Sequence, residues 1–151
     1  MTEPKPEKAE NPRCILAQFC DDIRHEVGNK VTLVGLYDGA LFLQEFPAMI
    51  PRLGINLVVD TPIEDQVQSV VLRIEKGDEV IGEATASVPP QPNPATVVQN
   101  GHDEFTRAMF SMKILLAPIT VMAPCMLRVK VTLDGIESVA GKLRITAAPS
   151  N

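Results

Sequence analysis

The segment "MLRVKVTLDGIESVAGKLRIT", residues 126–146, constrains the fold more than any other part of the chain. Leu127, Val129, Val131 and Leu133 alternate with Arg128, Lys130 and Thr132, a period of two that only an extended strand with one buried face accommodates. Asp134-Gly135 then supplies two residues that tolerate positive φ, the requirement of a tight type I′ turn. The returning run starts in phase with its partner, but Leu143 and Ile145 fall on the opposite parity. A β-bulge at Gly141 is predicted to reset the phase.

The same alternation recurs in "SVVLRIE", residues 69–75, where Val70, Leu72 and Ile74 face one side. Its predicted partner is "EVIGEATASV", residues 79–88. A three-residue loop of Lys76, Gly77 and Asp78 sets Ile74 opposite Val80, Leu72 opposite Gly82 and Val70 opposite Ala84, each large residue against a smaller one. Further runs at 13–20, 30–37, 40–43, 53–60 and 105–116 bring the expectation to about nine strands, with no helical stripe. Many short strands without intervening helices predict an all-β chain. The expected architecture is a single-domain antiparallel β-sandwich of immunoglobulin-like or related topology over residues 12–149, with a partly closed barrel as the alternative. Residues 1–11, "MTEPKPEKAEN", offer nothing to bury and are expected to form a disordered tail.

Composition narrows the function classes. The net charge is −5, and the chain has five Phe, one Tyr and no Trp. Affinity for nucleic acid rests on Lys and Arg neutralising phosphates and on aromatic stacking, so a nucleic-acid partner is not expected. Charges and prolines interrupt every apolar run before membrane-spanning length, so no membrane partner is expected either. Cys14, Cys20 and Cys125 are an odd set without a CxxC pair, and no apolar leader opens the chain; both point to a reducing, cytoplasmic setting.

Chemistry-bearing side chains concentrate in "CDDIRHE", residues 20–26. Asp22 and His25 could join His102 as three metal ligands, and Cys20 could act as a nucleophile with His25 as its base. Spacing demands neither, and adjacent residues on extended chain point apart. The segment reads better as a corner in which Asp21 or Asp22 accepts backbone hydrogen bonds, Ile23 and Val27 pack inward, and Gly28-Asn29 ends the turn. No GxGxxG, GK[ST], GxSxG or HExxH motif is present. The sequence thus nominates no catalytic residue, no metal site and no cofactor.

Two segments remain as candidates for contact with other molecules. Residues 88–104 carry four prolines and then Asn100-Gly101. A stiff extended start loses little entropy on binding, which nominates Pro90, Gln91, Pro92, Asn93, Pro94 and His102 as binding residues. The second candidate is Asp22, Arg24 and His25 at the corner. The apolar "ILLAPITV", residues 114–121, must either cross between sheets or meet a partner. These features predict a non-enzymatic module that binds a protein partner or itself. A structural subunit of a larger assembly and a metal- or thiol-dependent enzyme at Cys20–Glu26 are the alternatives.

The run from Phe19 to Arg24 with Glu26, Gly28, Lys30, Gly35, Tyr37, Phe46 and Pro47 resembles a family of small uncharacterised proteins from bacterial and phage genomes. Its members share an F-C-D-D-I-R-x-E-x-G-x-K start, a G-x-Y turn and a later F-P. The resemblance extends over residues 14–59 and implies a domain of unknown function, with no catalytic residue to transfer. It also implies a phage or prophage accessory or host-directed protein.

Overall fold

The structure, a computed structural model, describes residues 12–88 and 107–150. The predicted tail at residues 1–11 lies outside them, as do Pro90, Gln91, Pro92, Asn93, Pro94 and His102 of the proline-bearing segment. Among the described residues the chain is all β: β1 (Cys14–Glu26), β2 (Lys30–Leu36), β3 (Ala40–Leu43), β4 (Ala48–Ile50), β5 (Leu53–Pro62), β6 (Ser69–Lys76), β7 (Glu79–Ser87), β8 (Arg107–Leu116), β9 (Ile119–Val121), β10 (Cys125–Leu133) and β11 (Ile136–Ala147). No helix among them is long and apolar enough to cross a membrane.

The strands form a four-stranded sheet, β2-β1-β5-β8, a five-stranded sheet, β3-β11-β10-β6-β7, and a small pair, β4-β9. None closes into a barrel, and the two large sheets share one core in a β-sandwich. From the first sheet that core takes Phe19, Leu53, Ile55, Leu57 and Val59; from the second it takes Val70, Leu72, Ile74, Leu127, Val129, Val131, Leu143 and Ile145. Each such aliphatic side chain contributes about 1.5–3 kcal/mol relative to exposure. Pairing is antiparallel except between β3 and β11, which run parallel at one edge.

The β10–β11 hairpin follows the sequence expectation. Asp134 and Gly135 have φ of 48° and 87°, and Leu133 lies opposite Ile136. The register shifts between Val129, opposite Gly141, and Lys130, opposite Val139, so the extra residue is Ala140, one position before the glycine.

The β6–β7 register differs from the expectation. Gly77 and Asp78 make a two-residue turn, with Lys76 opposite Glu79, and a bulge at Ile81 then resets the phase. Ile74 therefore faces Gly82, Leu72 faces Ala84 and Val70 faces Ala86. The face assignment of β6 survives while the partners slide by two. β4 and β9 are additional to the expected strands. Their pairing of Ala48–Ile50 with Ile119–Val121 carries "ILLAPITV" out of the four-stranded sheet and across one end of the sandwich.

Asp134 also ties the hairpin to the rest of the molecule. Its Oδ1 accepts hydrogen bonds from the Gln68 and Ser69 amides at 3.1 and 3.0 Å, and its Oδ2 accepts one from Arg13 at 3.0 Å. The Ser69 amide is the main cause of a carboxyl pKa below the usual range; partial burial opposes it, while the Gln68 amide and Arg13 reinforce it. Because the folded value is depressed, the stabilisation is present above the unfolded pKa and is lost as pH falls through the folded one. Asp134→Asn keeps a residue that tolerates positive φ and removes the charge. We expect it to cost about 1 kcal/mol at neutral pH and to flatten the acid limb of stability below about pH 4, measured by urea unfolding across pH.

Candidate functional site

The segment expected to form a corner is a continuation of β1. Residues Cys14–Cys20 pair with β5, and Cys20–Glu26 pair with β2; Cys20 alone faces partners on both sides, Gly54 and Leu36. Beyond Cys20, β1 and β2 form a two-stranded arm that extends past β5 by about 20 Å at strand rise. Val27 at its tip is 93% exposed, so the expected inward packing of Ile23 with Val27 does not occur. The charges of "DDIRHE", which suggest a turn in sequence, line a hairpin with few neighbours, where solvent reaches them without any bend in the chain.

Three glycine-dependent contacts fix the arm at its base. Asp21 lies across from Gly35, whose φ is +67°; a Cβ there would overlap the Asp21 carboxylate and sit 2.7 Å from its Cγ. Tyr37 OH donates to Asp21 Oδ1, and the Tyr37 amide donates to Phe19 O at 2.8 Å. Burial, and then this carboxylate, push the Tyr37 hydroxyl up to about 12. On β5, a Cβ at Gly54 would lie 2.8 Å from Cys20 Sγ and 2.9 Å from Ile23 Cγ1. Cys20 and Ile23, three apart, thus cover the same glycine, which a flat strand would not allow; β1 twists between them.

Past the base the arm has two faces. Asp22, Arg24 and Glu26 line one, with Thr32 and Lys30 opposite the last two. Asp22 accepts from Arg52 at 2.9 Å and lies 3.7 Å from Arg24, and Glu26 accepts from Thr32 at 3.0 Å. Burial works to raise the Asp22 carboxyl, but the Arg52 hydrogen bond and charge, the Ile23 amide and the Arg24 charge together outweigh it, and the net shift is downward. Half-buried Ile23, Leu33 and Val31 line the other face with exposed His25.

The structure therefore joins Asp22 to Arg24, adds Arg52, and places His25 on the opposite face. Cys20 is fully buried, and burial, followed by Asp21, pushes its thiol pKa up, away from a nucleophile's need. Five residues of strand put His25 about 16 Å along the chain from it, outside hydrogen-bond reach. No group of three or more His, Cys, Asp or Glu among the described residues could hold a metal. A groove of about 400 Å³ beside β9 is lined by Leu116, Pro118 and Ile119, but its Lys76 already donates to Thr120 O at 2.7 Å and pairs with Glu79.

Sequence reasoning missed the Asp21–Gly35–Tyr37 contact and the role of Arg52. The G-x-Y that carries the resemblance was the available signal for the first. The geometry defines a two-sheet β-sandwich with a projecting hairpin arm whose base is built from Cys20, Asp21, Ile23, Gly35, Tyr37 and Gly54. The chain belongs to a family of unknown function, DUF6941, whose model matches residues 15–146. No curated protein matches it.

Proposed function

We propose that the domain is a non-enzymatic protein-binding module that engages its partner, or a second copy, through the β1–β2 arm. The observation that carries this reading is the outer edge of β2. "KVTLVGL" pairs only with β1 among the described residues, and between Lys30 and Leu36 its edge carries no charge. Such an apolar edge is a template for strand addition unless blocked, and Val27 and Leu36, 93% and 56% exposed, extend the apolar surface at its two ends. A two-stranded ribbon has little stability of its own. A partner strand on β2 would supply the third.

The resemblance of the start motif to sequences from bacterial and phage genomes supports a finer version, a small phage or prophage accessory protein. The odd, disulfide-free cysteine set supports action in the cytoplasm.

The test compares wild type, the arm variant Val27→Asp/Leu36→Lys, and a chain whose residues 89–102 are replaced by a Gly/Ser linker. Capture from native lysate and light-scattering mass are the readouts. The arm variant changes only exposed positions and should keep its stability within about 1 kcal/mol. We expect it to lose the captured partner or the self-association of wild type. Full retention in the arm variant would overturn the arm as the contact, and loss confined to the linker variant would move the contact to residues 89–102.

A further inference from the structure

The outward face of the five-stranded sheet carries an arrangement of charge at odds with a chain of net charge −5. Residues that alternate with the buried ones on β10, β11 and β6 point to solvent, and five of them are Arg73, Arg128, Lys130, Lys142 and Arg144. Arg128 lies directly opposite Lys142, and Lys130 directly opposite Arg73. Like charges facing each other across an antiparallel pair, with Cβ atoms about 5 Å apart, are destabilising.

The second of these pairs is compensated within the domain. Lys130 reaches Glu75 at 3.1 Å, and Arg73 lies 3.5 Å from Glu83. The contact to Glu83 is made by Arg73 Nε and is an ion pair without a hydrogen bond. The first pair is compensated on one side only: Glu75 lies directly opposite Arg128 on β6 but its ion pair is with Lys130, and Lys142, with Arg144 two residues further along β11, has no carboxylate within ion-pair distance among the described residues. At the sheet edge beyond them, Ala40 pairs with Arg144 and Phe42 with Thr146, which puts the 57% exposed Phe42 on the same outward face.

We propose that this face docks an acidic, extended segment of a partner protein. Alternate side chains of an extended peptide repeat at about 6.7 Å, the spacing of Lys142 and Arg144 along β11. An acid-x-acid pair therefore sets one carboxylate over each, with Arg128 beside the first and an apolar side chain against Phe42. Repulsion between Arg128 and Lys142 in the free protein is relieved when a carboxylate enters between them. The net negative charge of the chain disfavours a long polyanion at the same face, since repulsion from the rest of the molecule grows with polyanion length. The inference rests on the protein-binding reading but concerns the other layer of the sandwich from the arm.

The probe is a fluorescent peptide of alternating Glu and Ser ending in Leu, titrated into the full chain at about 20 mM and about 300 mM salt. Parallel titrations use Arg128→Ser/Lys142→Ser/Arg144→Ser, the arm variant Val27→Asp/Leu36→Lys, and a labelled oligothymidylate. We expect saturable binding at low salt, weakened by salt, weakened about tenfold by the triple substitution, and unchanged in the arm variant. Absence of saturable peptide binding, or binding indifferent to the triple substitution, would overturn the proposal. Tighter binding of the oligothymidylate than of the peptide would also overturn it and make this a nucleic-acid face. Because partner capture by the arm is measured separately, either reading can fail while the other stands.

Discussion

Gly35→Ala should destabilise the domain by about 3 kcal/mol and lower its melting temperature by about 6–12 °C, measured by calorimetry. Two causes add. An L-residue at φ +67° costs about 1–2 kcal/mol, and the new methyl drives out the Asp21 carboxylate, which removes the acceptor of the Tyr37 hydroxyl and costs a further 1–2 kcal/mol or so. The two can be separated. In Gly35→Ala/Asp21→Ala the clash is gone while the φ cost stays, so the pair should be less destabilising than the sum of its singles by about 1 kcal/mol. Additivity would mean that Asp21 moves aside freely and does not brace the arm. Amide exchange over residues 30–36 should accelerate in Gly35→Ala more than exchange in β10, because Asp21 and Tyr37 brace the base of the arm and a strand opens where its own support is weakened. If the arm engages a partner, this substitution weakens capture without altering any residue of the exposed edge.

How far the sequence reveals this structure depends on the distance over which each decision is made. The β10–β11 hairpin is legible because alternation, turn and phase reset all lie within twenty or so residues and agree with one another. The register of β6–β7 is not. Val80, Gly82, Ala84 and Ala86 are all smaller than the residues they could face, so a slide by two satisfies the large-against-small rule equally well. The deciding bulge leaves no mark stronger than Gly82. β1 escapes sequence reading because a strand that passes from one partner to another at Cys20 has no local signature, and its charged half looks like a turn until β2 is seen beside it. Asp21 and Tyr37 are sixteen residues apart, and β4 meets β9 across some seventy, beyond the reach of any periodicity. In sequence the cations of β10 and β11 are simply the wet side of a strand; only the register shows that Arg128 and Lys142 face each other.

Gly141 tests whether the two layers meet at the place where the arm is anchored. It follows the bulge residue Ala140, and a Cβ there would lie 2.8 Å from the Ala17 carbonyl oxygen, 3.0 Å from the Ala17 Cβ and 3.3 Å from Phe19 Cε2. The first neighbour is backbone and cannot rotate away. Gly141→Ala should therefore cost about 2 kcal/mol and Gly141→Val about 4 kcal/mol, with the valine variant at the edge of folding. Gly82→Ala is the matched control: its Cβ would meet Ile74 Cδ1 at 3.4 Å and Leu116 Cδ2 at 3.6 Å, ordinary contacts with mobile methyls. Its φ is not in the left-handed region, so the loss of unfolded-state entropy should leave it neutral or more stable by up to about 1 kcal/mol. Ala17→Gly in the Gly141→Ala background removes the side-chain clash but not the carbonyl one, and should restore only part of the stability. Complete restoration would show that the sheets touch through side chains alone and can separate slightly. Incomplete restoration fixes the spacing of β1 and β11 by backbone, and with it the position of Phe19, Cys20 and the arm that continues from them.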